Sequence, residues 1–435
     1  MKFWTAVFST LLLAAWACEG YKTPYCGIAP GSPPTTSYAD VPASEGKLVG
    51  VATMFRHGDR TPANAISCWP NDTAVWDCTL TQGTQGSGSK TVTREAYGAM
   101  FRITPVEGDM FFAGNCMVGQ LTSQGYRQHI ANGNAFRAAY VGEGKILPET
   151  FDPDTVYIET DTSIRVQMSA QAFITGMYPN ELGPPATDEE QADSGELTMV
   201  DIHVRDMVDE IVNPNAGACP NLTQYQIAFS QSAEYANFSK TVLEPIKTTL
   251  GANFGINPSD VNVGAVFDCY HAHVCHGFEL PPSVSPATWA AVNAGAINLE
   301  GMSYQYPSRQ AYGRVSNGPW FAQLMDHLES LQKGSSPTKM FMTGAHDSSV
   351  MPALAALGVY GDEWTPYAGV ITFELYATPD SGYAVRFLRY GQELTLPGCS
   401  SSMCPWSEFS SIISALLPLP GECNFPHASH ASYTQ

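Results

Sequence analysis

A short apolar segment that runs directly into a basic motif restricts the fold of this chain more than any other feature. Residues 48–54 read LVGVATM, and residues 55–62 continue as FRHGDRTP. An apolar, β-branched run that is bounded by glycine and proline predicts a buried strand. His57 then stands at the carboxyl end of that strand, which is the end at which open α/β sheets bind their ligands.

Two arginines lie close to this histidine in the sequence. Arg56 and Arg60 carry planar guanidinium groups, which bind phosphate oxygens through paired hydrogen bonds. The motif therefore predicts a binding site for an oxyanion, and a phosphate group is the ligand that fits it best. The alternative is that Arg56 and Arg60 are surface charges and that His57 is an ordinary turn residue. That alternative fits an isolated RHG triplet better than it fits the whole run.

Further strand-like segments recur along the chain, and helical stretches separate them. They lie at 47–54, 155–159, 199–204, 339–343, 370–376 and 383–390. Alternating strands and helices predict an α/β fold whose sheet is mostly parallel and flanked by helices. The last two segments are joined by the turn sequence PDSG, which predicts an antiparallel edge.

Two later motifs also place polar residues at strand ends. Residues 160–170 read TDTSIRVQMSA and contain Arg165, and residues 343–347 read TGAHD and contain His346 and Asp347. In this order, the three motifs resemble the signature segments of the histidine acid phosphatases, a branch of the histidine phosphatase superfamily.

The resemblance is closest to the prostatic and lysosomal acid phosphatases. Weaker matches to that group occur at 119–125 and 396–405, so the resemblance extends from about Lys47 to about Cys423. It therefore covers nearly the whole mature chain.

This resemblance implies a fold and a role for each of the polar residues. The fold is a core like that of phosphoglycerate mutase, with an inserted helical cap. His57 is the nucleophile and forms a phosphohistidine, and Asp347 donates a proton to the leaving oxygen. The phosphoryl oxygens are held by Arg56, Arg60, Arg165 and His346. The arrangement requires no metal ion and no other cofactor.

Some of these residues and their neighbours have alternative roles. Asp347 precedes a helix-like run, so it can also cap that helix, and this role is compatible with proton donation. Glu159 and Asp161 lie near Arg165, and we interpret both as charge partners for that arginine. The arginines lower the pKa of Asp347 and a bound phosphate dianion raises it, which predicts an acid optimum.

Two regions interrupt the predicted core, which consists of 21–218 and 315–435. Residues 63–116 contain three cysteines and a glycine- and serine-rich stretch at 82–89, which predicts a disulfide-stapled insertion near the site entrance. Residues 219–314 form, by resemblance, the helical cap. Helix-like stretches in this region lie at 233–250 and 286–299.

A histidine-rich segment inside the predicted cap allows a different interpretation. Residues 270–276 read YHAHVCH, and these histidines together with Cys275 supply enough ligands for a zinc ion. However, no matching carboxylate or cysteine spacing follows, and Cys275 is needed for a disulfide. We therefore predict no metal site and interpret these residues as part of the cap near the opening.

Composition disfavours several classes of partner. Asp and Glu number 41 against 21 Lys and Arg, so the formal net charge is −20. Nucleic acids and anionic membrane surfaces are poor partners for such a chain. A charged content of only 14%, with 31 prolines and 38 glycines, is typical of a secreted fold that is rich in turns.

The amino terminus has the layout of a cleaved signal peptide. A basic residue precedes an apolar stretch at 3–17, which is too short to span a membrane. Small residues allow cleavage after Ala17 or after Gly20. Cleavage after Gly20 removes Cys18 and leaves ten of the eleven cysteines, the even number expected of a disulfide-bonded secreted protein. We therefore predict a signal peptide at 1–20, no membrane anchor, and a product that is secreted or lies in the lumen of the secretory pathway.

In that compartment the cysteines can form disulfides and three sequons can be glycosylated. The cysteines that are close enough in sequence to pair locally are Cys399 with Cys404, Cys269 with Cys275, and Cys68 with Cys78. The resemblance adds a bridge between Cys219 and Cys423. Ten cysteines allow many pairings, and geometry decides among them. The sequons begin at Asn71, Asn221 and Asn237.

The sequence thus predicts a secreted or lysosome-type acid phosphatase that hydrolyses small phosphomonoesters. A phytase that acts on inositol phosphates is the alternative, although only 21 basic residues are available for a strongly basic pocket. A mutase or cytosolic phosphatase of the same superfamily is disfavoured by the pair of His346 and Asp347, the signal peptide and the cysteines. A non-catalytic binding protein is disfavoured because every catalytic position is filled. The oligomeric state, including a homodimer, stays open.

Overall fold

A computed structural model describes most of the chain and all of its signature segments. It describes residues 23–27, 38–63, 68–81, 112–182, 199–361 and 363–425 of the 435. The predicted signal peptide at 1–20 and the glycine- and serine-rich stretch at 82–89 lie outside these ranges. Within them, no helix combines the length and the apolar character needed to cross a membrane.

One mixed sheet forms the centre of the described structure. Its strands are β1 (Lys47–Arg56), β2 (Val156–Thr160), β3 (His203–Val204), β4 (Met340–Ala345), β5 (Val370–Ala377), β6 (Tyr383–Arg389), β7 (Gln392–Leu394) and β8 (Met403–Pro405). Their order is β3-β2-β4-β1-β5-β6-β7, and β8 pairs with β6. The strands from β3 to β1 in this order are parallel, whereas the pairs beyond β1 are antiparallel. The predicted α/β class is confirmed, and the antiparallel edge also contains β7 and β8.

Twelve α-helices occupy nearly half of the remaining described chain. They are α1 (Ser123–Tyr140), α2 (Ile164–Met177), α3 (Pro179–Leu182), α4 (Asn221–Ser230), α5 (Ala233–Phe238), α6 (Glu244–Phe254), α7 (Val263–Cys275), α8 (Pro286–Ser303), α9 (Arg309–Ser316), α10 (Gly318–Lys333), α11 (Asp347–Leu357) and α12 (Trp406–Ser414). The segment predicted as a cap, 219–314, contains α4 to α8 and most of α9. Both helix-like stretches recognised there are helical, and a π-helical turn joins α5 to α6.

The apolar run that precedes the basic motif is buried because helices cover both faces of β1. Ala52 and Met54 pack with residues of α10 and α11 on one face. Val51 and Phe55 pack with residues of α1 and α2 on the other face. The sequence of a strand that is covered on both faces is continuously apolar, whereas a strand with one solvent-exposed face alternates apolar and polar residues.

The carboxyl ends of β1 and β4 lie side by side. Arg56, the last residue of β1, is in register with Ala345, the last residue of β4. The residues that follow, His57 and His346, therefore leave the sheet next to each other, and the centres of their rings are 5.2 Å apart. Strand β2 pairs with β4 on its other side, so the segment that contains Arg165 starts at the same edge.

Disulfides connect distant parts of the fold. The bridges are Cys26–Cys275, Cys68–Cys269, Cys78–Cys116, Cys219–Cys423 and Cys399–Cys404. The predicted bridges between Cys219 and Cys423 and between Cys399 and Cys404 are confirmed. The predicted pairs Cys269 with Cys275 and Cys68 with Cys78 are wrong.

Helix geometry explains the first error. Cys269 and Cys275 both lie on α7, where six helical residues separate their Cα atoms by about 9 Å along the axis, too far for a disulfide. Each of them bonds instead to a cysteine that packs against its own side of the helix. The second error follows, because Cys68 is taken by Cys269 and Cys78 is left to pair with Cys116.

Candidate active site

His57 is buried at the end of β1, with 1% of its surface exposed. Its Nδ1 atom lies 2.7 Å from the carbonyl oxygen of Gly58. A carbonyl oxygen only accepts hydrogen bonds, so Nδ1 carries the hydrogen and Nε2 keeps its lone pair. Burial, and then the positive charge of Arg165 and other nearby cations, lower the pKa of His57 well below its usual range. The neutral ring therefore leaves Nε2 unprotonated, which is the form that a nucleophilic attack requires.

The glycine after His57 is required by close packing. A Cβ atom on Gly58 would lie 2.3 Å from the carbonyl oxygen of Gly125 in the first turn of α1. The backbone amide of Gly58 donates to the Ser169 hydroxyl over 3.1 Å, and that of Asp59 donates to the Gln128 side chain over 2.8 Å. Helices α1 and α2 thus hold the backbone of the motif in place.

Arg56 is fully buried and held on all sides. Its Nη1 donates to the Thr365 carbonyl oxygen over 2.5 Å, and its Nη2 donates to the Tyr25 hydroxyl over 2.7 Å. Nη2 also lies 2.8 Å from Oδ2 of Asp347. The guanidinium group lies 4.6 Å from the centre of the Tyr25 ring and 4.3 Å from that of Tyr367. These contacts fix both the position and the plane of the group.

Arg60 is paired with a carboxylate from α7. Its Nη1 lies 2.8 Å from Oδ1 of Asp268 and donates to the Thr61 carbonyl oxygen over 3.0 Å. The other oxygen of Asp268 accepts the backbone amide of Ala63 over 2.8 Å. Helix α7 therefore positions both the side chain of Arg60 and the backbone that follows it.

His346 connects Arg165 with Asp161. Its Nε2 lies 2.7 Å from Oδ2 of Asp161, and its Nδ1 lies 3.2 Å from Nη2 of Arg165. Arginine only donates, so Nδ1 accepts and the Nε2 hydrogen goes to the carboxylate. Burial alone would raise the pKa of Asp161, but hydrogen bonds from His346 and Ser163 hold that pKa below its usual range.

The interpretation of Glu159 and Asp161 as charge partners of Arg165 needs correction for Glu159. The charge of Asp161 acts on Arg165, while its direct hydrogen bond is with His346. Glu159 forms an ion pair with Arg205 and accepts a hydrogen bond from Gln323 over 2.7 Å. Strand β2 pairs with β3, so Arg205, the residue just after β3, lies beside Glu159.

Asp347 is the first residue of α11 and faces the arginines. Its Oδ1 accepts the backbone amide of Ser348 over 2.9 Å, and its Oδ2 accepts Nε1 of Trp364 over 2.8 Å. Burial alone would raise the pKa of Asp347, but the charges of Arg56 and Arg60 outweigh it and hold the pKa well below its usual range. The N-cap position predicted for Asp347 belongs to His346, one residue earlier.

The three arginines have one further feature in common. Within the described part of the chain, the Nε atom of each is buried and has no hydrogen-bond partner, namely in Arg56, Arg60 and Arg165. Buried donors in native proteins are nearly always satisfied. The three guanidinium groups, whose charges all act on His57, offer hydrogen bonds and positive charge to an anion with several oxygens.

Sequence comparison places this geometry in a known family. A profile of the histidine phosphatase superfamily (branch 2) matches residues 47–389. The chain belongs to this superfamily. The match covers the sheet from β1 to β6 and includes all three signature segments.

Individual relatives agree with this assignment. Counting factor 60 of Dictyostelium discoideum is 29% identical over 382 residues, which cover 86% of each chain. Lysosomal acid phosphatase of Bos taurus is 26% identical over 387 residues, which cover 85% of this chain and 78% of the relative. Hafnia alvei phytase in complex with myo-inositol hexakis sulphate has the same fold, with a TM-score of 0.54 and 16% identity over 89% of this chain and all of that one. The protein is therefore a phosphomonoester hydrolase of the histidine acid phosphatase family.

The structure of this histidine acid phosphatase brings the six predicted residues together at one edge of the sheet. It also adds residues that the sequence did not reveal: Tyr25, Asp268, Trp364 and Tyr367. None of the four lies in a signature segment. Each comes from a segment that folds back over the end of β1, and no local sequence pattern predicts such a tertiary contact.

The histidines of the YHAHVCH segment do not form one ligand set. His271 contacts the Phe267 carbonyl oxygen over 2.9 Å, and its ring packs among aromatic side chains. His273 lies 3.0 Å from Asp72 of the insertion, and His276 lies 3.2 Å from Asp59 of the basic motif. These side chains join α7 to its neighbours.

Proposed function

We propose that this enzyme hydrolyses phosphomonoesters in an acidic compartment through a phosphohistidine at His57. The single observation that carries the proposal is the cluster of three arginines, Arg56, Arg60 and Arg165, whose positive charges all act on a buried, neutral His57. A phosphoryl group has three equatorial oxygens, which match this arrangement.

The reaction then follows from the geometry of the free site. Nε2 of His57 attacks phosphorus while the hydrogen on Nδ1 stays hydrogen-bonded to the Gly58 carbonyl oxygen, which keeps the nucleophilic tautomer. The bond from phosphorus to the ester oxygen breaks as Asp347 gives that oxygen its proton. The resulting carboxylate takes a proton from water, which attacks the phosphohistidine and releases inorganic phosphate.

The arginines and His346 stabilise the charge on the transferred group. Three guanidinium groups surround the phosphoryl oxygens, and each offers directed hydrogen bonds that a lysine cannot reproduce. His346 is held by Asp161 through Nε2, and its Nδ1 accepts from Nη2 of Arg165. It therefore helps to orient the guanidinium group of Arg165.

We favour substrates with a single phosphate group over inositol hexakisphosphate. Carboxylates lie close to the basic group, and Asp268 already neutralises Arg60. Burial, and then the negative charges of Asp161 and Glu159, raise the pKa of Glu210 to about 7, so the region beside His346 is rich in negative charge. A ring with several further phosphates would be repelled there.

We place the enzyme in the lumen of the secretory pathway, either secreted or lysosomal. Five disulfides among the described residues favour an oxidising compartment. Asn71 and Asn237 are exposed, and Asn221 is half-buried at the start of α4, so glycans at the first two meet no obstacle. We also propose that 219–314 acts as a cap on the core, since α7 contributes Asp268 to the site.

Trapping the intermediate tests this mechanism. Wild-type enzyme is mixed with p-nitrophenyl phosphate that carries a label on its phosphoryl group. The reaction is quenched during turnover under conditions that do not hydrolyse the phosphoenzyme, and the protein is digested. We expect the label on His57, an acid-labile adduct, and loss of both label and turnover in His57→Ala with the fold retained. His203→Ala, at an exposed histidine of β3, serves as the control and should be labelled normally. Label on a serine or cysteine would overturn the proposal.

A substrate series tests the second part. We expect kcat/KM for p-nitrophenyl phosphate and for glycerol phosphate to exceed that for phytate by on the order of tenfold or more. Above pH 7, where Glu210 is ionised, Glu210→Gln removes a negative charge and should raise kcat/KM for phytate relative to that for p-nitrophenyl phosphate. Phytate as the best substrate would instead identify a phytase.

A further inference from the structure

A short segment near the amino terminus reaches the phosphate-binding arginine from outside the sheet. Residues 23–27 precede β1 by about twenty residues, yet Tyr25 is buried in the site with 2% of its surface exposed. Its hydroxyl accepts Nη2 of Arg56 over 2.7 Å, and its ring lies under the guanidinium group. The same ring contacts His271 of α7, with 4.2 Å between ring centres.

Three kinds of contact hold this segment. The Tyr25 carbonyl oxygen accepts the amide of Tyr367 over 2.9 Å, and the Cys26 carbonyl oxygen accepts the side chain of Gln128 over 2.8 Å. Gly27 has a φ of 70°, and a Cβ atom there would lie 2.1 Å from the Tyr367 carbonyl oxygen. The third contact is covalent, because Cys26 is bonded to Cys275 at the end of α7.

The position of Arg56 depends on this segment. Nη2 has two hydrogens, and its two contacts are the Tyr25 hydroxyl and the carboxylate of Asp347. Without the hydroxyl, Asp347 is the remaining partner of that nitrogen and pulls the guanidinium group toward itself. The guanidinium group of Arg56 would then be displaced from its position beside Arg60 and Arg165.

We propose that Tyr25 is a positioning residue for Arg56, and that the Cys26–Cys275 disulfide keeps it there. This inference rests on the proposed function, because it assigns Arg56 to phosphate. If the signal peptide ends at Gly20, Tyr25 lies only a few residues from the mature amino terminus. Terminal segments fray unless they are tied down, and the bridge to α7 supplies that tie.

Removal of a single hydroxyl tests the role of Tyr25. In Tyr25→Phe we expect the dissociation constant for inorganic phosphate, measured by calorimetry, to rise on the order of fivefold. The value of kcat/KM for p-nitrophenyl phosphate should fall by the same factor, while the midpoint of thermal unfolding changes little. Tyr140→Phe is the matched control, because its buried hydroxyl donates to Glu374 over 2.6 Å away from the site. That variant should lose stability and keep its affinity for phosphate.

Removal of the bridge tests the second part. Cys26→Ser combined with Cys275→Ser should weaken phosphate binding as Tyr25→Phe does, whereas Cys399→Ser combined with Cys404→Ser should not. If the first variant does not fold, the same comparison can be made on the wild-type protein under mild reductant. Alkylation of the freed cysteines, followed by peptide mapping, then shows which bridge has opened. Full affinity after loss of this bridge would refute the role of the disulfide.

The outcomes separate this inference from the proposed function. A wild-type protein that neither binds phosphate nor turns over p-nitrophenyl phosphate would contradict the function itself. An active wild type with an unchanged phosphate affinity in Tyr25→Phe would overturn only the positioning role.

Discussion

Oδ2 of Asp347 lies 2.8 Å from Nη2 of Arg56, so the proposed proton donor is paired with a phosphate-binding group. The charges of Arg56 and Arg60 outweigh the effect of burial and keep the pKa of Asp347 well below its usual range. The free enzyme therefore carries a carboxylate at this position. A bound phosphate dianion attracts the guanidinium group and repels the carboxylate, and both effects raise the pKa of Asp347. The proton is then taken up together with the substrate.

Replacement of Arg60 by lysine should be far from conservative. Lysine keeps the positive charge but loses the planar group that contacts Asp268 and phosphate together. We expect Arg60→Lys to lower kcat/KM by on the order of tenfold or more and to weaken inhibition by tungstate or vanadate in parallel. Arg314→Lys is the matched control, since Arg314 forms two hydrogen bonds of 2.9 Å with Glu422 outside the site. Equal inhibition of Arg60→Lys and wild type would place the phosphate elsewhere.

Burial of His271 should make the protein less stable in acid. Burial lowers the pKa of His271 to about 3, whereas an unfolded chain binds this proton near pH 6.5. Between these values the unfolded state binds more protons, so the free energy of unfolding falls by about 1.4 kcal/mol for each unit that the pH falls.

His271→Phe should remove this dependence. Urea unfolding at several pH values between 4 and 6 should give a slope of the free energy of unfolding that is smaller by about 1.4 kcal/mol per pH unit than in wild type. Identical slopes in wild type and His271→Phe would show that the buried ring is charged in the folded protein.

The signature residues were predictable because each follows a strand. Strands β1, β2 and β4 are neighbours and parallel, so residues just beyond their carboxyl ends lie close together. No further information is needed to predict this proximity. The strand order and the resemblance together thus suffice for His57, Arg165 and His346.

Tyr25 and Asp268 could not be found in this way. Both reach the site through packing that no local pattern encodes, Tyr25 from a disulfide-held terminal segment and Asp268 from α7. The incorrect cysteine pairs have the same origin, since closeness in sequence says little once Cys269 and Cys275 lie on different sides of one helix. Tertiary contacts, rather than propensity, decide these positions.

The role of Asp347 is open to a decisive kinetic test. If it protonates the leaving oxygen, Asp347→Asn should slow formation of the phosphoenzyme most for an alkyl phosphate, whose alkoxide is strongly basic. The effect should be smallest for p-nitrophenyl phosphate, whose phenolate leaves with little help. An asparagine keeps one oxygen that accepts from the Ser348 amide, so the start of α11 should be preserved, whereas its NH2 group no longer accepts from Trp364.

Single-turnover phosphorylation of wild type and Asp347→Asn with both esters measures this difference. A residue that only held the start of α11 would misplace the site and lower both rates by a similar factor. A residue that donates the proton gives a loss that grows with the basicity of the leaving group. Equal losses for the two esters would therefore remove Asp347 from proton transfer and leave it as a partner of Arg56.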